Sequence, residues 1–399
     1  MRRAKNEKKM EITFKESLNN GFRATAPHVL SIQEQLERID WDFRERPKAP
    51  AIESIHPYPA KFIGDIPRAL IEALPLPKGT GVLDPFAGSG TTLFEAQRAG
   101  LPSVGIDLNP IACLIARVKT SPLAEGFMEV VEEVIGRARS VKSLQPPDIP
   151  NVDHWFKSEI QLAVGSLAQT ITDDLYAPWL TQLQLTLSSI LVRVSNQDSD
   201  TRYAAIDKNV SYDDVFDLFR VSASKILHAL KSRSWSLAEA HVLEANTLEV
   251  DPLNIPIPVG LVITSPPYPN AYEYWLYHKY RMWWLGFDPL SVKEQEIGAR
   301  AHFFKKNHHT ADRFIDQMRG VLSLVDNVLV KEGFACFVVG RSKIHGKIIK
   351  NDEIIEQVAK EFGLCAIARL ERAINANRKS FNLSHANIKT ETILILKKS

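Results

Sequence analysis

Beyond about residue 50, short apolar runs alternate with stretches of helical spacing. Gly81-Val82-Leu83 is an apolar run that stops at Asp84. Thr91 to Ala99 has the helical period and is ended by Gly100-Leu101-Pro102, and Ser103 to Asp107 is a second strand-like run. Further runs at His241–Leu243, Gly260–Thr264, Gly333–Val339, Leu364–Leu370 and Thr392–Leu396 are separated in several places by helical patterns over Ala271–Leu285, Ala311–Val330 and Asp352–Phe362. Strands interleaved with helices predict an α/β protein with a mainly parallel sheet. From Thr120 to about Ala240 the rhythm breaks. Leu, Ile and Val recur at helical spacing in Trp179–Val194 and Val215–Leu230, with Pro146-Pro147 and Ser195–Asp200 as loops. This predicts a helical insertion. Residues 1–50 are polar and interrupted by Pro47 and Pro50, an arm with one short helix near Ser31–Asp40. The expected organisation is an arm (1–50), a first half of the core (51–120), the insertion (121–239) and a second half of the core (240–399).

Composition narrows the picture modestly. A chain of 399 residues suits one core with a sizeable insertion. The formal net charge of +2 neither requires nor excludes a nucleic-acid partner, so any such surface must come from local clustering of Lys and Arg. Cys113, Cys336 and Cys365 are widely spaced and each sits in an apolar stretch, which predicts buried free thiols and no disulfide framework. No His, Cys and Asp cluster has metal-ligand spacing, so no metal is expected. Met1 to Asn20 lacks the apolar core of a signal peptide, and no run is apolar enough to span a membrane. A soluble cytoplasmic protein is expected.

Two motifs carry chemistry. Asp84-Pro85-Phe86-Ala87-Gly88-Ser89-Gly90-Thr91-Thr92 follows a strand and opens a helix, where glycines let a ligand approach the backbone closely. Leu93 stands where a dinucleotide loop would have its third glycine, and the Gly-Lys-Ser/Thr ending of a triphosphate loop is absent. Asp107, at the end of the next strand, is placed to accept ribose hydroxyls, so loop and carboxylate together indicate a nucleoside cofactor without saying which. The second motif is Thr264-Ser265-Pro266-Pro267-Tyr268. Two prolines after a buried strand stiffen the backbone and fix its carbonyls. The Ser265 side chain and the Pro266 carbonyl can accept hydrogen bonds from an amino group, and Tyr268 can stack on a planar ring. Alone, this is also what a proline-rich turn after a strand looks like.

The two motifs together resemble those of the amino-group DNA methyltransferases. His56-Pro57-Tyr58-Pro59-Ala60-Lys61-Phe62 is similar to that family's cofactor-tail motif, and the stretch from Asn270 to Gly286 is similar to the segment after its catalytic motif. The likeness covers roughly residues 54–120 and 240–399. It implies a Rossmann-like seven-stranded sheet and S-adenosylmethionine as cofactor. By the same resemblance Asp84, Phe86 and Gly88, Ser89, Gly90, Thr91 and Thr92 would hold the methionine portion. His56 would lie beside it, and Lys61 would meet the cofactor carboxylate. Asp107 would hold the ribose, and either Glu244 or Asn246 would face the adenine, where the family usually has Asp. Ser265, Pro266, Pro267 and Tyr268 would hold the target base. The cofactor half precedes the catalytic half, an order that resembles the class whose target-recognition region lies between them. The insertion is therefore a candidate for that region.

The implied reaction is direct attack of a base amine on the sulfonium methyl. The base must be flipped out of its duplex or arrive single-stranded. Ser265 in first place leans toward N4 of cytosine, with adenine N6 as the alternative. A tRNA guanine-N2 enzyme would usually have Asp there and a recognisable RNA-binding domain. A catalytically silent nucleic-acid-binding module would not need both motifs intact. A C5-cytosine enzyme would need a nucleophilic Cys after Pro, which is absent. DNA is the expected partner, with a cognate restriction endonuclease or defence-system protein as a further one. Lys305 and Lys306 in a basic aromatic loop, and Arg372 and Arg378 after the sixth strand, are candidate backbone contacts.

Overall fold

The computed structural model describes residues 30–45, 49–200, 202–235, 237–269, 273–299, 302–303, 309–344, 346–374 and 390–399. Two compact units separate, Met1–Arg38 and Ile39–Ser399. The described part of the first is helix α1 (Ile32–Glu37). It begins with a capping box in which Ser31 Oγ accepts the Glu34 N–H and the Glu34 carboxylate accepts the Ser31 N–H. All that follows concerns the second unit.

After α2 (Asp65–Ala73) come β1 (Gly81–Asp84), α3 (Thr91–Arg98), β2 (Ser103–Asp107) and α4 (Pro110–Thr120). The insertion contributes α5 (Phe127–Ser140), α6 (Val152–Trp155), α7 (Ser158–Thr170), α8 (Leu180–Val194), a hairpin of β3 (Gln197–Ser199) and β4 (Arg202–Ala205), and α9 (Tyr212–Lys231). The chain then re-enters the core with β5 (Ala240–Glu244), β6 (Val259–Thr264), α10 (Tyr274–Trp284), α11 (Pro289–Gln295) and α12 (Ala311–Val328). It ends with β7 (Leu329–Ile344), β8 (Lys347–Lys350), α13 (Asn351–Lys360), β9 (Leu364–Ala373) and β10 (Thr390–Lys398).

The sheet runs β5-β2-β1-β6-β7-β10-β9, with β8 paired to β7 off this path. Neighbours from β5 to β7 are parallel, while β10 is antiparallel to both β7 and β9. This is the seven-stranded Rossmann-like order with one reversed strand, as expected. Strands β1 and β6 are buried along their whole length, the continuous burial that a sheet covered on both faces requires. Phe314, Met318, Val321 and Val325 of α12 and Ile355 and Val358 of α13 pack on Leu83, Val104, Ile106 and Val262. A second cluster joins Phe94 of α3 and Ile111, Leu114, Ile115 and Val118 of α4 to Leu185 and Ile226 of the insertion and Met282 of α10.

The structure departs from the sequence reading in several places. Ser195–Asp200 leads into a hairpin instead of remaining a plain loop, and β7 runs well past Val339 to pair with β8. The insertion is helical as predicted, but its core is not its own. Tyr280 and Trp284 of α10 sit in the same cluster as Val131, Phe156, Val164, Leu187 and Phe216. Cys113 and Cys336 are buried, whereas Cys365, on the edge strand β9, is exposed. No helix among the described residues is long and apolar enough to cross a membrane.

Candidate active site

The sheet order reverses at β1. From there the chain builds outward to β2 and β5, then returns to β6 and β7 on the other side. Ligands of such sheets bind beyond the strand C-termini at this switch point. Asp84 ends β1, Asp107 ends β2 and Thr264 ends β6. One cavity lies there. From the first half of the core it is lined by Asp84, Phe86, Gly88, Ser89, Thr91 and Asp107, and from the second by Asn246, Ser265 and Pro267. The glycine loop and the Ser-Pro-Pro turn, 175 residues apart in the sequence, therefore open on one space.

The loop is shaped for close approach. Gly88 and Gly90 have φ of +51° and +75°, and a Cβ on Gly90 would meet that of Ala116 at 2.7 Å. Gly90 thus seats α3 against α4 and does not line the cavity. Asp107 accepts the Gly88 N–H at 2.7 Å and the Asn109 N–H at 2.8 Å. Even so, burial outweighs these donors and raises its pKa to about 6. Asp84 also rises to about 6 through burial, opposed by the hydroxyls of Thr92 and Thr264 and by the Phe86 N–H.

A third carboxylate is Glu296, which also lines the cavity and is 7% exposed. It accepts the Tyr274 and Trp275 N–H groups at 2.7 and 3.1 Å, capping α10. Burial still raises it to about 8, with Glu273 and Asp107 adding to the rise. Tyr274 stacks on Tyr58 at 5.8 Å, and Tyr58 in turn stacks on His278 at 5.3 Å. Tyr58 Oη would stand 3.3 Å from a Cβ placed on Gly88, so these rings wall the glycine loop.

Several predicted residues are placed elsewhere. Lys61 turns from the cavity and donates to the carbonyls of Glu53 and His56, at 2.5 and 2.9 Å. His56 is buried beside Ser188 Oγ, 2.9 Å away, and the Pro57 carbonyl. Glu244 pairs with Arg117 at 3.2 Å, leaving Asn246 as the member of that pair that lines the cavity. Thr92 lies buried behind the lining, as does Pro266, and the ring of Tyr268 packs against the sheet cluster. Arg372 is 8% exposed, ion-paired with Glu391 at 2.5 Å and bonded to the Trp41 carbonyl, so it has no free face for a phosphate. Lys305, Lys306 and Arg378 lie outside the described residues.

Tyr58, Leu108, Asn109, Thr247, Tyr274, Gln295 and Glu296 line the cavity without having been assigned from sequence. For Tyr58 the signal was present in the quoted tail motif, and for Leu108 and Asn109 in adjacency to Asp107. Nothing in the run Glu294-Gln295-Glu296 marks it as a pocket wall.

A nucleotide-style loop and strand-end carboxylate at the switch point of this sheet define a Rossmann-like methyltransferase fold. A model of the N6/N4 class described as DNA methylase matches residues 3–118. Type II methyltransferase M.MjaII of Methanocaldococcus jannaschii is 38% identical over 87 residues, covering 21% of this chain and 16% of its own length. M.MvaI of Kocuria varians is 30% identical over 136 residues, 30% of each chain. M.BsoBI of Geobacillus stearothermophilus is 24% identical over 286 residues, 61% of this chain and 55% of its own. Over these segments the chain is similar to the amino-group DNA methyltransferases. The matches do not separate the N4 from the N6 type. The chain spans 16%, 30% and 55% of these relatives' lengths. Among solved structures, rRNA methyltransferase AviRa of Streptomyces viridochromogenes aligns over 92% of this chain and 96% of its own, at 12% identity and a TM-score of 0.34.

S-adenosylmethionine is the cofactor this family indicates, and the cavity fits it. Three buried carboxylates, each raised by burial, form a set that a cationic ligand would satisfy. The buried Nδ2 of Asn109, beside Asp107, has no hydrogen-bond partner among the described residues. A nucleoside with hydroxyl and amino groups supplies such partners. In that fit Asp107 would hold the ribose, Asn246 would face the adenine, and Asp84 and Ser89 would meet the amino-acid end.

Proposed function

We propose that this chain transfers a methyl group from S-adenosylmethionine to the exocyclic N4 of cytosine in DNA, at a specific sequence and on a base flipped from the duplex. The observation that carries the reading is that Ser265 and Pro267 share one cavity with Asp84, Gly88 and Asp107. The cofactor supplies an already activated methyl. The residues supply position. Ser265 Oγ accepts an amine N–H, which helps to free a lone pair otherwise delocalised into the ring. Holding that nitrogen in line is the main contribution, and its proton leaves after attack. No covalent enzyme–base bond is needed, in keeping with two buried cysteines and a third on the edge strand. The base enters the site unstacked, because its amine is unreachable inside a duplex. Ser265 supports cytosine over adenine, and the insertion is the target-recognition region of this reading. An endonuclease of the same specificity is its expected partner, in the cytoplasm.

The test is transfer of labelled methyl from the cofactor to duplex DNA and, separately, to tRNA, followed by nucleoside analysis. Label in 4-methyldeoxycytidine is expected. Label in 6-methyldeoxyadenosine would move the reading to adenine N6. Label in tRNA alone would replace DNA by RNA, and cofactor binding without transfer to either would leave a silent binding module.

A further inference from the structure

Lys119, near the end of α4, is 1% exposed. Among the described residues its ammonium has one hydrogen-bond partner, Ser89 Oγ at 3.3 Å, while its backbone carbonyl is held by Arg233. An ammonium has three donors and no acceptor, and burying one against a single neutral hydroxyl is costly. The charged side chains acting on it are Lys61, which opposes its charge, and Glu53, which favours it. Lys61 Nζ is already engaged by the Glu53 and His56 carbonyls. Burial first, and Lys61 second, push Lys119 down to about 7, and burial takes Lys61 to about 8. Two buried amines thus lie behind a cavity whose own titratable lining is acidic.

Ser89 connects them to that cavity, which it lines. In its ammonium form Lys119 only donates, so Ser89 Oγ is then the acceptor in this pair. The hydroxyl's own proton is then available toward the cavity, polarised by a cation behind it. That is a donor suited to a carboxylate.

We propose that Lys119 and Ser89 form a relay that holds the carboxylate of the cofactor's amino-acid end, Ser89 making the contact and Lys119 acting as the positioning residue that supplies the charge. The relay rests on the cavity being the S-adenosylmethionine site, and it takes the role that resemblance assigns to Lys61. Carboxylate binding favours the charged amine, so ligand binding at pH 8 takes up a proton and affinity falls as pH rises above about 7.

The experiment is isothermal titration of the full chain with S-adenosylhomocysteine and with 5′-methylthioadenosine, the same nucleoside thioether without the amino-acid end. Wild type, Lys119→Met and Ser89→Ala are compared. Each variant is expected to lose roughly tenfold or more in affinity for S-adenosylhomocysteine and to keep its affinity for methylthioadenosine, which also reports an intact fold. Net proton uptake at pH 8, read from the dependence of heat on buffer ionisation, is expected to be greater in wild type than in Lys119→Met, any release from Glu296 being common to both. Should Lys119→Met not fold, Ser89→Ala alone decides the affinity arm. Equal losses for both ligands, or none for either, overturn the relay and leave the cofactor site standing. Failure of wild type to bind either ligand overturns both.

Discussion

At the scale of single residues, Asp107 and Ser265 share a cavity but hold different things. Asp107→Ala removes the carboxylate that the proposed function gives to the ribose and frees two loop N–H groups, so it is expected to weaken cofactor binding by about 10–100-fold. Ser265→Ala should lower turnover by about tenfold or more and leave cofactor affinity nearly unchanged. Calorimetry beside single-turnover rates separates the two, and equal loss of binding in both variants would contradict the division. Asp107 also sets a pH dependence. Ribose hydroxyls donate to the ionised carboxylate, so binding expels its proton and affinity climbs as pH rises through about 6, then levels. In Asp107→Ala that acid limb should shrink to the share carried by Asp84.

Among elements, the strand ends were legible and the walls between them were not. Asp84, Asp107 and Ser265 each close an apolar run, and a parallel sheet delivers all such ends to one edge. Glu296, Tyr274 and Lys119 reach the site only through packing of α11, α10 and α4, and local pattern does not encode that. The same cause misplaced Lys61, whose motif is recognisable but whose stem is drawn to the Glu53 carbonyl. Tyr268 likewise follows the turn but packs its ring on the sheet cluster. Gly90 shows how tightly the elements fit. Its left-handed backbone and its contact with Ala116 leave no room for a methyl, so Gly90→Ala should destabilise the fold by about 2–4 kcal/mol in denaturant unfolding. A change under about 0.5 kcal/mol would mean that α3 and α4 part easily there.

For the whole molecule, the question is whether the helical insertion is an appendage. Arg281 of α10 is 1% exposed, pairs with Asp200 at the insertion's hairpin and donates to the Ser188 carbonyl of α8 at 3.1 Å. Losing one partner of a buried pair leaves an uncompensated charge, so Asp200→Ala is expected to cost about 2–4 kcal/mol. Residues 39–399 should still unfold in one transition, since Tyr280 and Trp284 belong to the insertion's core while Met282 belongs to the sheet's. Two resolved melting steps would refute that shared core.

That shared helix also fixes a mechanical relationship. α10 starts nine residues past Ser265 and is gripped by the insertion through Tyr280, Arg281 and Trp284 of its second half, while Glu296 holds its first turn. Whatever strains the helical layer, such as a bulky guest or the bending of a long polymer laid across it, loads the same stiff rod. By its first turn, at Tyr274 and the Glu296 carboxylate, the rod reaches the cavity itself.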